Sequence, residues 1–432
     1  MSQTTTPTAA AQNAPAAPKV SRRSRWRTEV ESTPGKLRLA AGLAVLAALA
    51  FSLLGGAGYM LWSNNIAAAR GDAAQLVRVQ TIQNNLLAAD AAVSNAYLAG
   101  GVAGAQNIAD YRQALKEAVA LLPRVAAANP ADADTAAALA EATTRYADQM
   151  ARAAETNEQQ LLVGAAYLRS GGKILRSEIV PALDQMSALE RRRVDDGYNA
   201  ASRATALMVG GAALAIAGGV LAQLWLSRRT HRYVNLPAGL GTASIVLGTV
   251  LGLVVLSGAA SRAADVGRHS YVATAALAEA RTRAYDAKAN EALGLIARGN
   301  YPNYESVSVG DLKAADDALA RAEAAGADAS SRQALGAWTT IHAKVTQADK
   351  ENRWVDAKDI VVAVGTGSSN DTFNAFGTTS KAALEHQADQ TSQRLGSAGQ
   401  GLAWMGGLSV LVGLIAAAGA WAGFAQRWEE YR

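Results

Sequence analysis

The chain of 432 residues has no cysteine, so no disulfide framework or thiolate metal site can be built from it. Histidine is scarce: His231, His269, His342 and His386 lie far apart, with no HExxH pair, and solvated or capping roles are expected of them. Aromatic residues make up 6% of the chain. The most informative deficit is local. Four stretches, 39–62, 204–226, 236–260 and 402–424, contain no Asp, Glu, Lys, Arg or His. Each is long enough for a bilayer, which takes about 20 apolar residues. A soluble enzyme with one globular core is therefore excluded. The spans also lack midplane ionisable groups, which argues against a transporter or proton pump. No catalytic motif, cofactor motif or metal-ligand set is present, and a non-enzymatic protein is expected. Gly365–Ser369 lacks the Lys and the strand-to-helix setting of a phosphate loop and reads as a linker. Arg70-Gly71-Asp72 matches an adhesion tripeptide by letter only.

Charge predicts the orientation. Residues 1–38 carry Lys19, Arg22, Arg23, Arg25, Arg27, Lys36 and Arg38 against two Glu, and the loop 227–235 carries Arg228, Arg229 and Arg232. The long segments 63–203 and 261–401 are slightly acidic. The positive-inside rule places both termini and the loop in the cytoplasm, and both long segments outside the cell membrane. The basic balance thus reflects topology and does not imply nucleic-acid binding. Residues 1–38 read as a disordered, basic cytoplasmic N-terminus. The apolar run through Trp62 is too long for a cleaved signal, so 39–62 reads as an uncleaved first span. The remaining spans are 204–226, 236–260 and 402–424, followed by a tail at 425–432.

The unit of span, module, span occurs twice, an internal repeat of architecture. In the first module, Leu76, Val79, Ile82, Leu86, Val93 and Leu98 form a helical stripe that Gly100-Gly101 ends. A second helix is predicted over 105–128. A third starts near Asp132 or Asp134 and runs to Ser170, where Gly171-Gly172 interrupts. A fourth runs from Lys173, with Pro181 a candidate kink. The second module repeats the plan at 262–298, 308–325, 329–350, 353–364 and 370–400, with a turn at Asn300–Asn303. The helix 262–298 would be roughly 55 Å long at about 1.5 Å per residue. The expected fold is all-α: four transmembrane helices carrying two extracytoplasmic antiparallel helical bundles. Gly248/Gly252, Gly210/Gly211 and Gly218/Gly219 suit close helix packing, although glycine is common in membrane helices anyway.

Several short motifs, in matching order, carry a family resemblance. They are LAADAAVSNAYLAGG at 87–101, AETN at 154–157 with VGAAYLR at 163–169, YDAKANE at 285–291 with LIARG at 295–299, and TPGKLR at 33–38. Together they resemble GlnX, a family of actinobacterial four-span membrane proteins. Glu158–Leu162 departs from that pattern. The resemblance implies a membrane sensor that works with a glutamine-type solute-binding lipoprotein outside and, inside, a serine/threonine kinase pathway, that of protein kinase G. The amino-acid-loaded lipoprotein would dock on the bundles, and helices continuous with the spans would pass the change inward. Asp90, Asn95, Asn157, Arg169, Asp286, Asn290 and Arg298, polar members of these motifs, are the candidate coupling residues. At the level of fold alone, the bundles also resemble the periplasmic four-helix modules of chemotaxis receptors.

Two other classes stay open. A direct small-molecule receptor would need polar residues converging within one bundle, with Arg70, Arg78, Arg169 and Arg176 available. An envelope scaffold would be indifferent to nutrients. Homo-oligomerisation is compatible with either. The turns 99–106 and 299–306 are expected to be the accessible tips. Tyr301 and Tyr304 there are candidate contacts for the lipoprotein, because tyrosine is favoured at interfaces. Arg228, Arg229 and Arg232 are candidate contacts for the kinase pathway. Asp286 and Asn290 share a helical face bordering the core, with Lys288 and Glu291 pointing elsewhere. Arg281, Arg283 or a residue on another helix is expected to pair with Asp286.

Overall fold

The computed structural model of the chain describes residues 33–159, 163–230 and 235–429. The expectations for the N-terminal segment up to residue 32, for His231 and Arg232, and for the side chain of Arg229 fall outside the described residues. Alanine, leucine and charged residues of high helical propensity dominate the sequence, and no strand occurs among the described residues. The chain divides into two units. Among the described residues, one comprises 33–57, 207–251 and 406–429, and the other 58–206 and 252–405.

Among the described residues, four helices are long and apolar enough to cross a membrane, which makes this a multi-pass membrane protein. Helix α1 (Thr33–Ala99) contains the first span and continues without interruption for 67 residues, about 100 Å at the usual rise. The second span ends α5 (Val180–Thr230), the third opens α6 (Leu236–Arg268), and the fourth is α12 (Leu402–Glu429). In the first unit, Leu43, Leu46, Leu53, Leu214, Leu247 and Leu411 are exposed, as lipid-facing side chains would be, while Ala48, Ala212, Ala215 and Ala416 pack around Phe51 and Ile245. Glycine sets these approaches. A Cβ on Gly419 would lie 2.8 Å from the Pro237 carbonyl oxygen, and one on Gly241 would lie 3.0 Å from that of Ala416. Gly211 faces Leu54, Gly218 faces Ala47 and Gly248 faces Val412, whereas Gly210 meets nothing. Close packing thus accounts for most of the span glycines.

The second unit contains the rest of α1 and of α5 to α6, together with α2 (Gly101–Ala128), α3 (Ala133–Glu158), α4 (Gly164–Ile174), α7 (Ser270–Ile296), α8 (Tyr301–Ala324), α9 (Ser330–Lys350), α10 (Trp354–Val362) and α11 (Ser369–Gly399). Gly100, at φ +63°, ends α1 in a conformation that a side chain would strain. The Asn129 side chain accepts a hydrogen bond from the Ala131 amide beyond α2.

Three boundaries differ from expectation. The break in the first module's third helix is not at Gly171-Gly172, because α3 ends at Glu158 and the two glycines lie inside α4. A Cβ at Gly171 would sit 2.5 Å from Met150 Cε and 3.2 Å from Gln149 Cβ, so glycine there admits α3. The irregularity expected at Pro181 is a π-helical turn over Leu175–Ile179, directly before it. A proline ring crowds the carbonyl four residues back, and a wider turn relieves that clash. Finally, Asn300–Asn303 is not a free turn. Pro302 lies in the first turn of α8, where its missing amide hydrogen is no loss.

The two bundles are not separate. The first module's core, built on Leu86, Val93, Leu122, Leu139, Tyr146 and Met150, also takes in Leu293 of α7, with Ile296 and Tyr304 packed against it. Leu98 of α1 in turn joins Leu295, Tyr301 and Val345 in a core of the second module. Helices α1 and α7 are therefore central to both, and 18 of the 27 residues of α7 are buried.

Candidate coupling site

Burying the distal part of α1 and most of α7 forces their polar residues there to find partners inside. Asp90 is 1% exposed. Its Oδ2 lies 3.0 Å from Arg176 Nη2, on the π-helical turn, and Tyr146 donates its hydroxyl to Oδ1 at 3.4 Å. The same guanidinium reaches α7, where Nη2 and Nε donate to Asp286 Oδ1 at 3.0 and 3.2 Å. Burial raises the Asp90 pKa, and the Arg176 charge works against that rise. Burial disfavours charge on Arg176 too, but Asp90 and Asp286 more than offset it and hold the guanidinium firmly protonated. Beside them, Arg283 donates to Asp311 of α8 at 3.1 Å. Burial, and then the nearby Asp286 charge, push Asp311 up to about 6. The result is an ionic seam from one module to the other, with Thr282 donating to Asn84 at 3.0 Å as a second tie between α7 and α1.

The expectation for Asp286 is met by a residue on another helix. Arg281 is engaged by the Gly377 carbonyl and the Ser380 hydroxyl, both at 2.6 Å, and Arg283 by Asp311. Lys288 and Glu291 require a correction. They do point away from the Asp286 face, but that other face is buried as well, and each is 1% exposed. Lys288 Nζ donates to Glu291 Oε1 at 2.6 Å and to Ser369 Oγ at 2.8 Å. His342 is not solvated either. Its Nδ1 is 2.6 Å from Glu291 Oε2 and its Nε2 is 3.1 Å from Glu305 Oε2. Burial favours protonated Glu291, but Lys288 and His342 outweigh it and hold the carboxyl at about 2. Burial likewise opposes charge on His342, and Glu291 and Glu305 overcome it, raising the imidazole to about 9. Two cations and two anions are thus locked together between α7, α8 and α9, and Trp338 Nε1 donates to Ser369 at 3.1 Å to close the cluster. Ser369, expected in a linker, is the buried anchor that starts α11.

The remaining candidates are dispersed. Asn95 and Asn290 are buried, each with one amide atom lacking a partner within the chain. Asn157 donates to the Tyr97 carbonyl at 3.2 Å. Arg298 stacks over the Trp354 ring at 4.0 Å, at the end of α7. Arg169 and Arg228 are exposed. Tyr301 is not an accessible tip residue. It is 3% exposed, and its hydroxyl lies 3.3 Å from Thr346 Oγ1. Tyr304 is partly buried against the first module's core. The four arginines considered for a direct receptor do not converge. Arg70 donates to Ser392 and Arg78 to Gln75, Arg176 serves the seam, and Arg169 stands apart.

This is an all-α membrane protein whose paired helical modules are cross-linked by a partly buried ion pair. Residues 65–199 match the family model of the actinobacterial sensor domain. The match covers Asp90, Tyr146 and Arg176 and ends before Asp286, so it corresponds to the first module. It supports a sensing role. No curated protein and no solved structure matches the chain.

Proposed function

We propose that the chain is a non-enzymatic transmembrane signal transducer of the GlnX type. It reads an amino-acid-loaded solute-binding lipoprotein outside the cell and informs a cytoplasmic serine/threonine kinase pathway, that of protein kinase G. The observation that carries this reading is the sensor-domain match over 65–199, on a module whose first helix is continuous with a span from Gly35 to Ala99. A continuous helix converts a small displacement at one end into one at the other. The seam at Asp90, Arg176 and Asp286 supplies a contact that holds one arrangement of the modules. With Tyr301 buried, the exposed Pro302, Asn303, Val307 and Val309 at the start of α8 take its place as the docking surface. Inside, the 227–235 loop with Arg228, Arg229 and Arg232 meets the kinase pathway. The test is capture of the full-length tagged protein from its native membrane, with and without glutamate, aspartate and glutamine. An extracytoplasmic solute-binding lipoprotein should be captured in an amino-acid-dependent manner. Its absence under every condition overturns the reading.

A further inference from the structure

A cleft of about 670 Å³ opens between α1, α5 and α7, and its walls come from both modules. Its polar lining follows helical spacing. On α5, Asp184, Ser187 and Arg191 lie three and four residues apart and so share one face. Gln80 and Gln83 line the facing wall from α1. Most of the charges in this lining are already committed: Arg176 to Asp90 and Asp286, Arg283 to Asp311, and Glu279 to Arg321. Two opposite charges are left over. Arg191 has no ion pair among the described residues, and Asp184 has none either, accepting only an amide hydrogen bond from Gln83 Nε2 at 2.9 Å.

Two buried polar atoms in the same lining point to a ligand. Gln80 Oε1 and Ser187 Oγ have no partner within the chain, although their residues are only 5% and 7% exposed. A buried amide carbonyl requires a donor, and leaving it without one is costly. Asp184 and Arg191 are exposed side chains on the same face of α5 as Ser187, so a molecule in the cleft can reach both. The cleft therefore offers a free guanidinium for a carboxylate. Close by, it offers a carboxylate, an amide oxygen and a hydroxyl for a group carrying several N–H donors.

We propose that this cleft binds a small zwitterion with a primary ammonium group, a free α-amino acid. Its carboxylate pairs with Arg191, and its ammonium pairs with Asp184, Gln80 Oε1 and Ser187 Oγ. The bound molecule lies beside the bridge from Arg176 to Asp286. The site is independent of any docking lipoprotein.

The test is calorimetric titration of the full-length protein in nanodiscs, with no lipoprotein present. The probes are glycine, alanine, glutamine, glutamate and aspartate. Acetate and methylammonium each carry one of the two charges, and glycine betaine carries both but has no N–H donor. Saturable binding of at least one amino acid is expected, with no binding of acetate, methylammonium or betaine. Arg191→Ala and Asp184→Asn should each weaken binding by about tenfold or more, the effect of losing a charge-assisted hydrogen bond. Arg192→Ala, outside the cleft lining, should leave it unchanged. The proposal is overturned if none of the amino acids binds, if betaine binds as well as they do, or if the Arg191 and Asp184 variants bind like the unmodified protein. Lipoprotein capture plays no part in these outcomes, so this site and the docking reading stand or fall separately.

Discussion

The Arg176 guanidinium meets the Asp286 carboxylate at 3.0 Å, and the residues belong to different modules. Arg176 also neutralises the fully buried Asp90. Removing one partner of a buried pair leaves an uncompensated charge, at a cost of about 3–5 kcal/mol. Arg176→Ala should therefore destabilise the second unit by an amount in that range, measured by denaturant unfolding of the full-length protein in detergent. Adding Asp90→Asn should recover part of the loss, since the stranded charge is then gone. A loss below about 1 kcal/mol for Arg176→Ala would be the value of a solvated surface pair and would contradict the buried seam.

The cluster at His342 makes stability depend on pH in a defined sense. His342 is raised to about 9 from an ordinary 6.5. A group whose folded pKa lies above its unfolded value contributes fully below the unfolded value, and its contribution is lost as pH rises through the folded one. Stability should decline between about pH 6.5 and 9, by up to about 3 kcal/mol from this residue. Glu291 behaves in the opposite sense. Held at about 2 against an ordinary 4.5, it contributes above pH 4.5 and is lost only as pH falls toward 2. Melting His342→Gln between pH 6 and 9.5 should give a flatter profile than the unmodified protein. Parallel profiles would remove His342 as the origin of the slope.

Glu190, buried beside Asp132 and Arg193, is a second group whose protonation is coupled to folding. Burial, and then the neighbouring Asp132 carboxyl, push Glu190 up to about 7, while Arg193, 2.8 Å from Asp132, keeps that carboxylate ionised. Glu190 sits above its ordinary 4.5, so its contribution is present below that value and disappears as pH rises through about 7. Glu190→Gln keeps the donor and removes the titration. The variant should lose less stability than the unmodified protein between pH 5 and 8. An identical loss in both would show that Glu190 is not the group that titrates in this range.

Tyr301 should behave as a core residue. It packs with Leu98, Leu295 and Val345, and truncating a large buried aromatic residue typically costs about 3–5 kcal/mol. Tyr301→Ala should lower stability by an amount of that order. Tyr301→Phe, which loses only the contact with Thr346, should cost about 1 kcal/mol. Comparable stability in all three proteins would return Tyr301 to the surface.

The spans and most helix ends were legible because their signals are local: runs without charge, Gly100 ending α1, and Asn129 ending α2. The seam was only partly so. Asp90 and Asp286 stood out within their motifs, but their common partner Arg176 is distant from both in sequence, and nothing local marks it. Lys288, Glu291 and His342 were missed for a different reason. A charged residue off the apolar stripe normally faces water, yet the face of α7 that carries Lys288 and Glu291 is also covered by neighbouring helices and lies in the interior. Gly171-Gly172 read as a break because glycine weakens an isolated helix, whereas here it lets α3 come close. Tyr301 read as a tip residue because the turn signal at Asn300–Asn303 hides that α8 begins there and folds back onto α7.

Orientation rests on charge and can be tested directly. Arg228 and Arg229 lie in the last turn of α5 and Arg232 follows them in sequence before α6, and short basic connections are retained in the cytoplasm. The segments 63–203 and 261–401 are long and slightly acidic, so they are free to cross. Alkaline phosphatase folds into an active enzyme only where disulfides can form, outside the cytoplasm. Fused after Gln149 or after Ala348, it should be active. Fused at His231, it should be inactive, because that residue lies in the basic loop. A fusion that is active at His231 and inactive at the other two sites would invert the membrane arrangement. The sensor-domain match would then fall on a cytoplasmic module, where no extracytoplasmic lipoprotein could dock.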